Sequence, residues 1–291
     1  MARPPPSPPV LAPLRLVRAG NVGVSFAGTI VGGLVVRASG VSAPWTFWSI
    51  VLLAGLSTGL VTAGGNVLND LLDVEGDRTN HPDRPLVTGA VSIRSARAWT
   101  VGLFVLGVAA GVPVAGSHPI DGAILAVAVL ALVGYEFRLK RKGFTGNAVV
   151  ALLTGLVFLY GGGAAGSPLV AVPFAAMAFL ATLSREVIKD MEDQAGDVGR
   201  TTLPRTRGLP FSAATARVAV GVAIALSFVP LVWFVAPRSS VGLLYLVLVV
   251  AADATFVASV VSLPERLHWE QSTSKVAMAI ALLAFVAVAF R

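Results

Sequence analysis

Long apolar runs dictate what this chain can fold into. Nine can be marked along its 291 residues, at Val22–Val36, Phe47–Gly65, Thr100–Val114, Ala123–Gly134, Ala148–Tyr160, Leu169–Leu183, Val218–Ala236, Gly242–Val261 and Val276–Phe290. Runs of this length, almost without charge and separated by polar stretches, read as transmembrane helices rather than as the striped helices of a soluble domain. Composition agrees: only 13% of residues are charged and the mean hydropathy is +0.81, where a soluble domain carries about 25% charged residues. The prediction is an all-α polytopic membrane protein. Its fourth and fifth runs are short and rich in Gly and Ala, which predicts interior positions away from lipid. The run Gly161-Gly162-Gly163-Ala164-Ala165 lacks the G-x-x-x-x-G-K-[ST] pattern of a phosphate loop and reads as a place of close helix approach. The Pro-rich residues 1–13 have no apolar signal region and are expected to form an extended, poorly ordered leader, with 14–291 as a single transmembrane domain.

The polar loops carry an asymmetric charge. With nine spans, 19 of the 22 Lys and Arg residues fall on one side, in the N-terminus and the loops at 66–99, 135–147, 184–217 and 262–275; Arg37, Arg238 and Arg291 fall on the other. The positive-inside rule places the first set in the cytoplasm. The pI near 10.5 is thus accounted for by topology and membrane lipid rather than by nucleic acid. With no cysteine, disulfides and thiolate metal sites are excluded.

Two stretches on the cytoplasmic side share the template D-x-x-D-x-x-G-D: DLLDVEGD at Asp70–Asp77 and DMEDQAGD at Asp190–Asp197. They hold nine of the 15 acidic residues, and each begins where an apolar run ends, the second and the sixth. Four spans separate them, which predicts two four-helix units plus a ninth helix around a central cavity. On a helix, Asn69, Asp73 and Asp77 share a face, and Glu186, Asp190, Asp193 and Asp197 form a stripe. Gly76 and Gly196 precede the last Asp of each and are expected to loosen the helix end. Carboxylates so close to a bilayer need a cation. Oxygen ligands without His or Cys suit a hard divalent ion such as Mg²⁺, which takes one or two carboxylates and completes its shell with water and substrate phosphate. Facing clusters therefore suggest a diphosphate clamp with two ions. Cations stand nearby: Arg78 and Arg84 after the first stretch, Lys189 and Arg200 around the second, Lys140–Lys142 in the 135–147 loop, and Arg18 ahead of the first span. For Arg18 and for Lys140–Lys142, topology alone is an equally open account. Asp253, mid-span, is open between a functional role and a structural hydrogen bond to Thr255 or Ser259.

The segment N-D-L-L-D-V-E-G-D-R-T-N-H-P-D-R-P-L-V-T-G resembles the first signature of the UbiA superfamily of intramembrane prenyltransferases. R-E-V-I-K-D-M-E-D-Q-A-G-D resembles the second, and Y-E-F-R-L-K-R-K-G-F-T-G-N the family's segment between the fourth and fifth helices. The resemblance implies metal and diphosphate positions at Asn69, Asp70, Asp73, Asp77, Asp190, Asp193 and Asp197. It further implies substrate contacts at Arg18, Asn21, Arg84, Tyr135, Lys140, Lys189 and Arg200. Glu136, beside Tyr135, is not expected from the family pattern, and Asp83 replaces its Asn. The implied reaction is Mg²⁺-dependent ionisation of a prenyl diphosphate inside an apolar, water-poor cavity, followed by attack of an acceptor at C1. Asp73 or Asp190 would take the released proton, with Tyr135 at the reacting centre.

The R-E-V-I-K-D-M-E-D form resembles archaeal ether-lipid members, which join geranylgeranyl diphosphate to geranylgeranylglyceryl phosphate. An aromatic acceptor such as 4-hydroxybenzoate or a quinone precursor is the alternative. A phosphorylated acceptor needs a second cationic site, for which Lys140–Lys142 is the candidate. Outside this class, an ion-coupled transporter would place its acids near the midplane, and a CDP-alcohol phosphotransferase would need a D-G-x-x-A-R run, which is absent.

Overall fold

A computed structural model describes residues 11–40, 46–195, 201–233 and 239–288. Within them, nine helices are long and apolar enough to cross a membrane. They are α2 (Ala19–Ala38), α3 (Phe47–Asn80), α4 (Ile93–Ser117), α5 (Pro119–Gly134), α6 (Phe144–Ala164), α7 (Pro168–Glu192), α9 (Leu209–Ser227), α11 (Ser240–Val261) and α12 (Leu267–Val288), with short helices α1 (Ala12–Leu16), α8 (Leu203–Arg207) and α10 (Val229–Trp233) between them. Neighbours in sequence pack side by side, and the ring closes where α2 meets α6, α7 and α12. The first four spans form one unit, α6, α7, α9 and α11 the second, and α12 seals the gap.

Close backbone approach holds the ring together. A Cβ on Gly161 of α6 would collide with the Thr29 carbonyl oxygen of α2, and a Cβ on Gly32 of α2 with the Phe158 carbonyl oxygen of α6. The two helices therefore touch backbone to backbone, as small residues permit in membrane bundles. Gly162 meets Ala171 of α7, and Gly163 leaves room for the Asp121 carboxyl of α5. The glycine run is a packing device facing three neighbours at once.

Several boundaries differ from those the apolar runs predict. Helix α3 runs 15 residues beyond Gly65, roughly 22 Å at 1.5 Å per residue, and passes through Gly76 and Asp77 without a break. Gly76 therefore does not end the helix; Gly196 and Asp197 lie outside the described residues, as does Arg200. Helix α9 starts at Leu209, earlier than the Val218 of its run, because Gly208 adopts φ +84° and Pro210 supplies a preset first turn. The expected leader 1–13 overlaps α1, whose Ala12 and Leu16 are buried against Val67, Leu86, Val91 and Ala96; residues 1–10 lie outside the description. The fifth span, α6, is interior as predicted. The fourth, α5, is not: Val127 and Leu130 face outward, and only its start (Asp121, Ile124, Leu125) is buried. Shortness misled here, since the bulky Val and Leu side chains of this run suit lipid and its polar continuation completes the span.

Candidate active site

Helix geometry selects which α3 residues line the central cavity. Among the lining residues, Thr58, Val61, Thr62, Gly65, Asn66, Asn69, Asp73, Gly76, Asp77 and Asn80 recur at helical spacing, so one stripe turns from uncharged to acidic as it climbs. Gly76 belongs to this stripe, and a Cβ there would meet nothing within 4 Å. It widens the mouth between Asp73 and Asp77. The cavity holds about 1810 Å³, beyond the roughly 300–1,000 Å³ of a single small-molecule pocket.

Each α3 carboxylate at the mouth has a cation. Lys140 Nζ donates to Asp73 Oδ2 at 2.5 Å and lies 3.4 Å from Glu136 Oε2. Arg84 donates to Asp77 Oδ2 at 2.5 Å and to Asp70 Oδ1 at 3.1 Å. Arg18 donates to Asp70 Oδ1 and to the side-chain Oδ1 of Asn69, both at 2.7 Å, while the Asn69 side-chain Nδ2 donates to Glu136 at 3.0 and 3.1 Å. Arg18 does this from a left-handed backbone, φ 51°, a conformation costly outside glycine and concentrated at working sites. Glu136 and Lys140 reach the cavity because α5 continues as a π-helical turn, Tyr135–Leu139, in which the Lys140 amide bonds the Tyr135 carbonyl at 2.8 Å. Such turns recur at functional sites. Glu136 therefore belongs to the site, although no family position announces it.

The expected residues divide by placement. Arg18, Asn21, Asn69, Asp73, Asp77, Arg84, Tyr135, Lys140, Lys189 and Asp193 line the cavity. Asp70 and Asp190 do not line it. Asp70 is 3% exposed beneath two arginines, and Asp190, 6% exposed, accepts from Asn147 of α6 at 2.7 Å. On α7 the cavity-facing series is Ala178, Thr182, Arg185, Lys189 and Asp193, with Glu186 at its edge. The α7 lining is mixed, Arg185 and Lys189 with Glu186, Glu192 and Asp193, where the acidic reading had Glu186, Asp190, Asp193 and Asp197, and α7 stops at Glu192, so Asp193 opens a 3₁₀ turn. Arg185, absent from the expected set, pairs with Glu186, which Lys189 also approaches at 3.5 Å. Asp253 also lines the cavity, but accepts from Ser227 of α9 at 2.8 Å rather than from Thr255 or Ser259.

The donor set was tested against a divalent ion. Among the described residues no three acidic or histidine side chains converge on one point. Mg²⁺ does not require three, since it takes one or two carboxylates and fills its shell with water and phosphate oxygens. Asn69, Asp73 and Asp77 on α3 and Asp193 at the end of α7 supply only oxygen donors to the same cavity, and this chemistry fits the ion.

Comparison with known proteins agrees with this geometry. A digeranylgeranylglyceryl phosphate synthase of Methanopyrus kandleri is 38% identical over 283 residues, 94% of this chain and 97% of that protein. One from Methanoregula boonei is 42% identical over 212 residues, 72% of this chain and 75% of that protein. A solved structure described as digeranylgeranylglyceryl phosphate synthase in membranes superposes with a TM-score of 0.79 at 29% identity, over 97% of this chain and 98% of that one. A UbiA homologue from Archaeoglobus fulgidus bound to GPP and Mg²⁺ shares the fold, with a TM-score of 0.67 at 18% identity over 96% of this chain and 100% of that one. The profile of the UbiA prenyltransferase family matches residues 25–289, and the chain belongs to that family.

Proposed function

We propose that this protein transfers a geranylgeranyl group from its diphosphate to geranylgeranylglyceryl phosphate, at the cytoplasmic end of a single membrane domain spanning 14–291. The observation that carries this reading is the α3 stripe: acidic at the mouth, uncharged below, and open to a cavity larger than one substrate needs. Relatives carrying the synthase name along nearly their full length support the lipid acceptor over an aromatic one. The Archaeoglobus homologue bound to GPP and Mg²⁺ supports the ion, of which two are proposed, held by Asn69, Asp73 and Asp77 on one side and Asp193 with Asp197 on the other.

Each group has a task. Bound Mg²⁺ neutralises charge that builds on the diphosphate as the allylic C–O bond ionises. Lys140 and Arg84, already poised beside Asp73 and Asp77, orient the same diphosphate, and Arg18 and Asn21 close the mouth near α2. Of the other cations the resemblance implies at the diphosphate, Lys189 lines the cavity from α7, and Arg200 lies outside the described residues. Tyr135 borders the reacting carbon. Below, Val24, Val61, Leu125 and Leu156 keep water from the allylic cation, which it would otherwise capture. Of the two aspartates offered for the proton, Asp73 lines the cavity and Asp190 does not, so Asp73 is the one placed to accept it.

The test is a prenyl-transfer assay on purified protein with labelled geranylgeranyl diphosphate and Mg²⁺, offering geranylgeranylglyceryl phosphate and 4-hydroxybenzoate separately. Product from the first alone is expected. Product from the second alone would overturn the acceptor assignment.

A further inference from the structure

The walls of the cavity mouth are charged differently. On the α3 side three cations, Arg18, Arg84 and Lys140, are held by four carboxylates, Asp70, Asp73, Asp77 and Glu136. This wall has no positive charge to spare and attracts a metal ion. On the opposite side, Arg185 and Lys189 of α7 share one carboxylate, Glu186. Lys275 of α12 reaches no carboxylate among the described residues, and its Nζ bonds Gln271 Oε1 at 3.0 Å. Glu192 is engaged by His268 at 2.8 Å, and Asp193 lies four residues beyond Lys189, just past the end of the same helix. Arg185, Lys189 and Lys275 all line the cavity, and against Glu186 and Asp193 these three cations leave a surplus of one positive charge.

Below these cations the wall is apolar along one helix face. Lys275, Met278, Ala279, Leu282 and Phe285 of α12 line the cavity in succession, the i, i+3, i+4, i+7 spacing of a single stripe. Val249, Ala252 and Phe256 of α11 and Ala223 of α9 line the same cavity, beside the hydrogen-bonded pair Ser227 and Asp253. A charged head at the top of an apolar stripe is the imprint of an amphiphile whose head is anionic. A phosphate monoester carries about −1.5 to −2 charge at neutral pH, and a head of three cations suits it.

We propose that Arg185, Lys189 and Lys275 form a metal-independent site for the phosphate monoester of the acceptor, with its isoprenoid tail along α12 and α11. The donor tail then runs along α3. This assignment rests on the phosphorylated-acceptor reading above, and it moves the second cationic site from Lys140–Lys142 to α7 and α12, and Lys189 from the diphosphate to the acceptor.

The test uses the full chain with K189Q, K275Q and the double substitution, all at exposed or half-exposed side chains. In steady-state assays the double variant is expected to raise KM for geranylgeranylglyceryl phosphate at least tenfold. KM for geranylgeranyl diphosphate and the half-saturating Mg²⁺ concentration should stay within twofold. Geranylgeranylglycerol, which lacks the phosphate, should react equally poorly with wild type and variant. In parallel, calorimetric titration of geranylgeranylglyceryl phosphate in EDTA should show binding to wild type and at least tenfold weaker binding to the double variant. A rise in KM for the diphosphate with no change for the acceptor would overturn the assignment, as would equal binding in EDTA. Failure of wild type to prenylate the phospholipid acceptor would instead overturn the functional reading, while the EDTA titration would still decide the anion site.

Discussion

Asp70 offers a sharp test of how the acidic stretch works, because its position in the template and its surroundings give opposite answers. Template position makes it a metal ligand; its surroundings make it a clamp for two arginines. The Asp70 side chain is 4% exposed and bonds Arg18 at 2.7 Å and Arg84 at 3.1 Å. Asp70→Asn removes the charge yet keeps the shape, so one acceptor survives and two charge-assisted bonds weaken, each worth about 1.5–3 kcal/mol. The net loss is about 2–4 kcal/mol, or a fall in Tm of roughly 5–12 °C for a chain of this size. Thermal unfolding of the purified protein reads the first effect, and Mg²⁺ titration of turnover reads the second. The expected result is a lower Tm and a raised KM for prenyl diphosphate, since Arg18 and Arg84 lose their anchor, with half-saturating Mg²⁺ unchanged within twofold. A tenfold rise in the Mg²⁺ requirement with an unaltered Tm would show that Asp70 binds the metal and that the clamp argument is wrong.

Asp73→Asn should behave in the reverse way: a Mg²⁺ requirement raised tenfold or more, turnover lowered at least a hundredfold and Tm nearly unchanged, whereas Asp190→Asn should cost stability before it costs metal affinity. Chelation by EDTA should stop turnover while circular dichroism retains its helical signal; retained turnover would contradict the metal role. Gly161→Leu should lower Tm, since overpacking costs about 1–3 kcal/mol and α2 offers only backbone to yield; Gly20→Ala, where a Cβ would meet nothing within 4 Å, is the neutral control. The chain has no cysteine, so single cysteines report topology directly: a membrane-impermeant maleimide should label Gly116→Cys in intact cells and Arg94→Cys only after lysis, and the opposite pattern would reverse the orientation.

Much of this was legible in the sequence because hydropathy and helix periodicity are local. The nine spans, the shared side of both acidic stretches and the α3 stripe through Asn69, Asp73 and Asp77 all follow from spacing along the chain. What escaped depends on partners distant in sequence. The reach of α3 to Asn80 was hidden because a polar helix leaves no apolar run, and the bonds of Arg84 and Arg18 to its Asp residues come from other segments. The π turn at Tyr135 has no composition of its own, so nothing announced that Glu136 would turn toward Asn69. The mixed lining of α7 was hidden because its cations and acids sit at equally helical intervals, and the neighbouring α6, whose Asn147 donates to Asp190, lies far away in sequence.

The same facts explain why the template D-x-x-D occurs twice. Residues three apart on an α-helix point about 60° apart, enough for one to enter a helix–helix contact while the other faces a cavity. In both stretches the first Asp is the buried one: Asp70 under Arg18 and Arg84, Asp190 against Asn147. In both, the second Asp, Asp73 or Asp193, lines the cavity. The repeated unit is thus an anchor followed by a working carboxylate, and the anchors have diverged in partner while keeping their place. An anchor held by arginines ties its helix to the diphosphate-binding cations. One bonded to an amide of α6 ties its helix to its neighbour in the bundle. The duplication supplies symmetry in position, and the unlike anchors set the two helix ends in different surroundings.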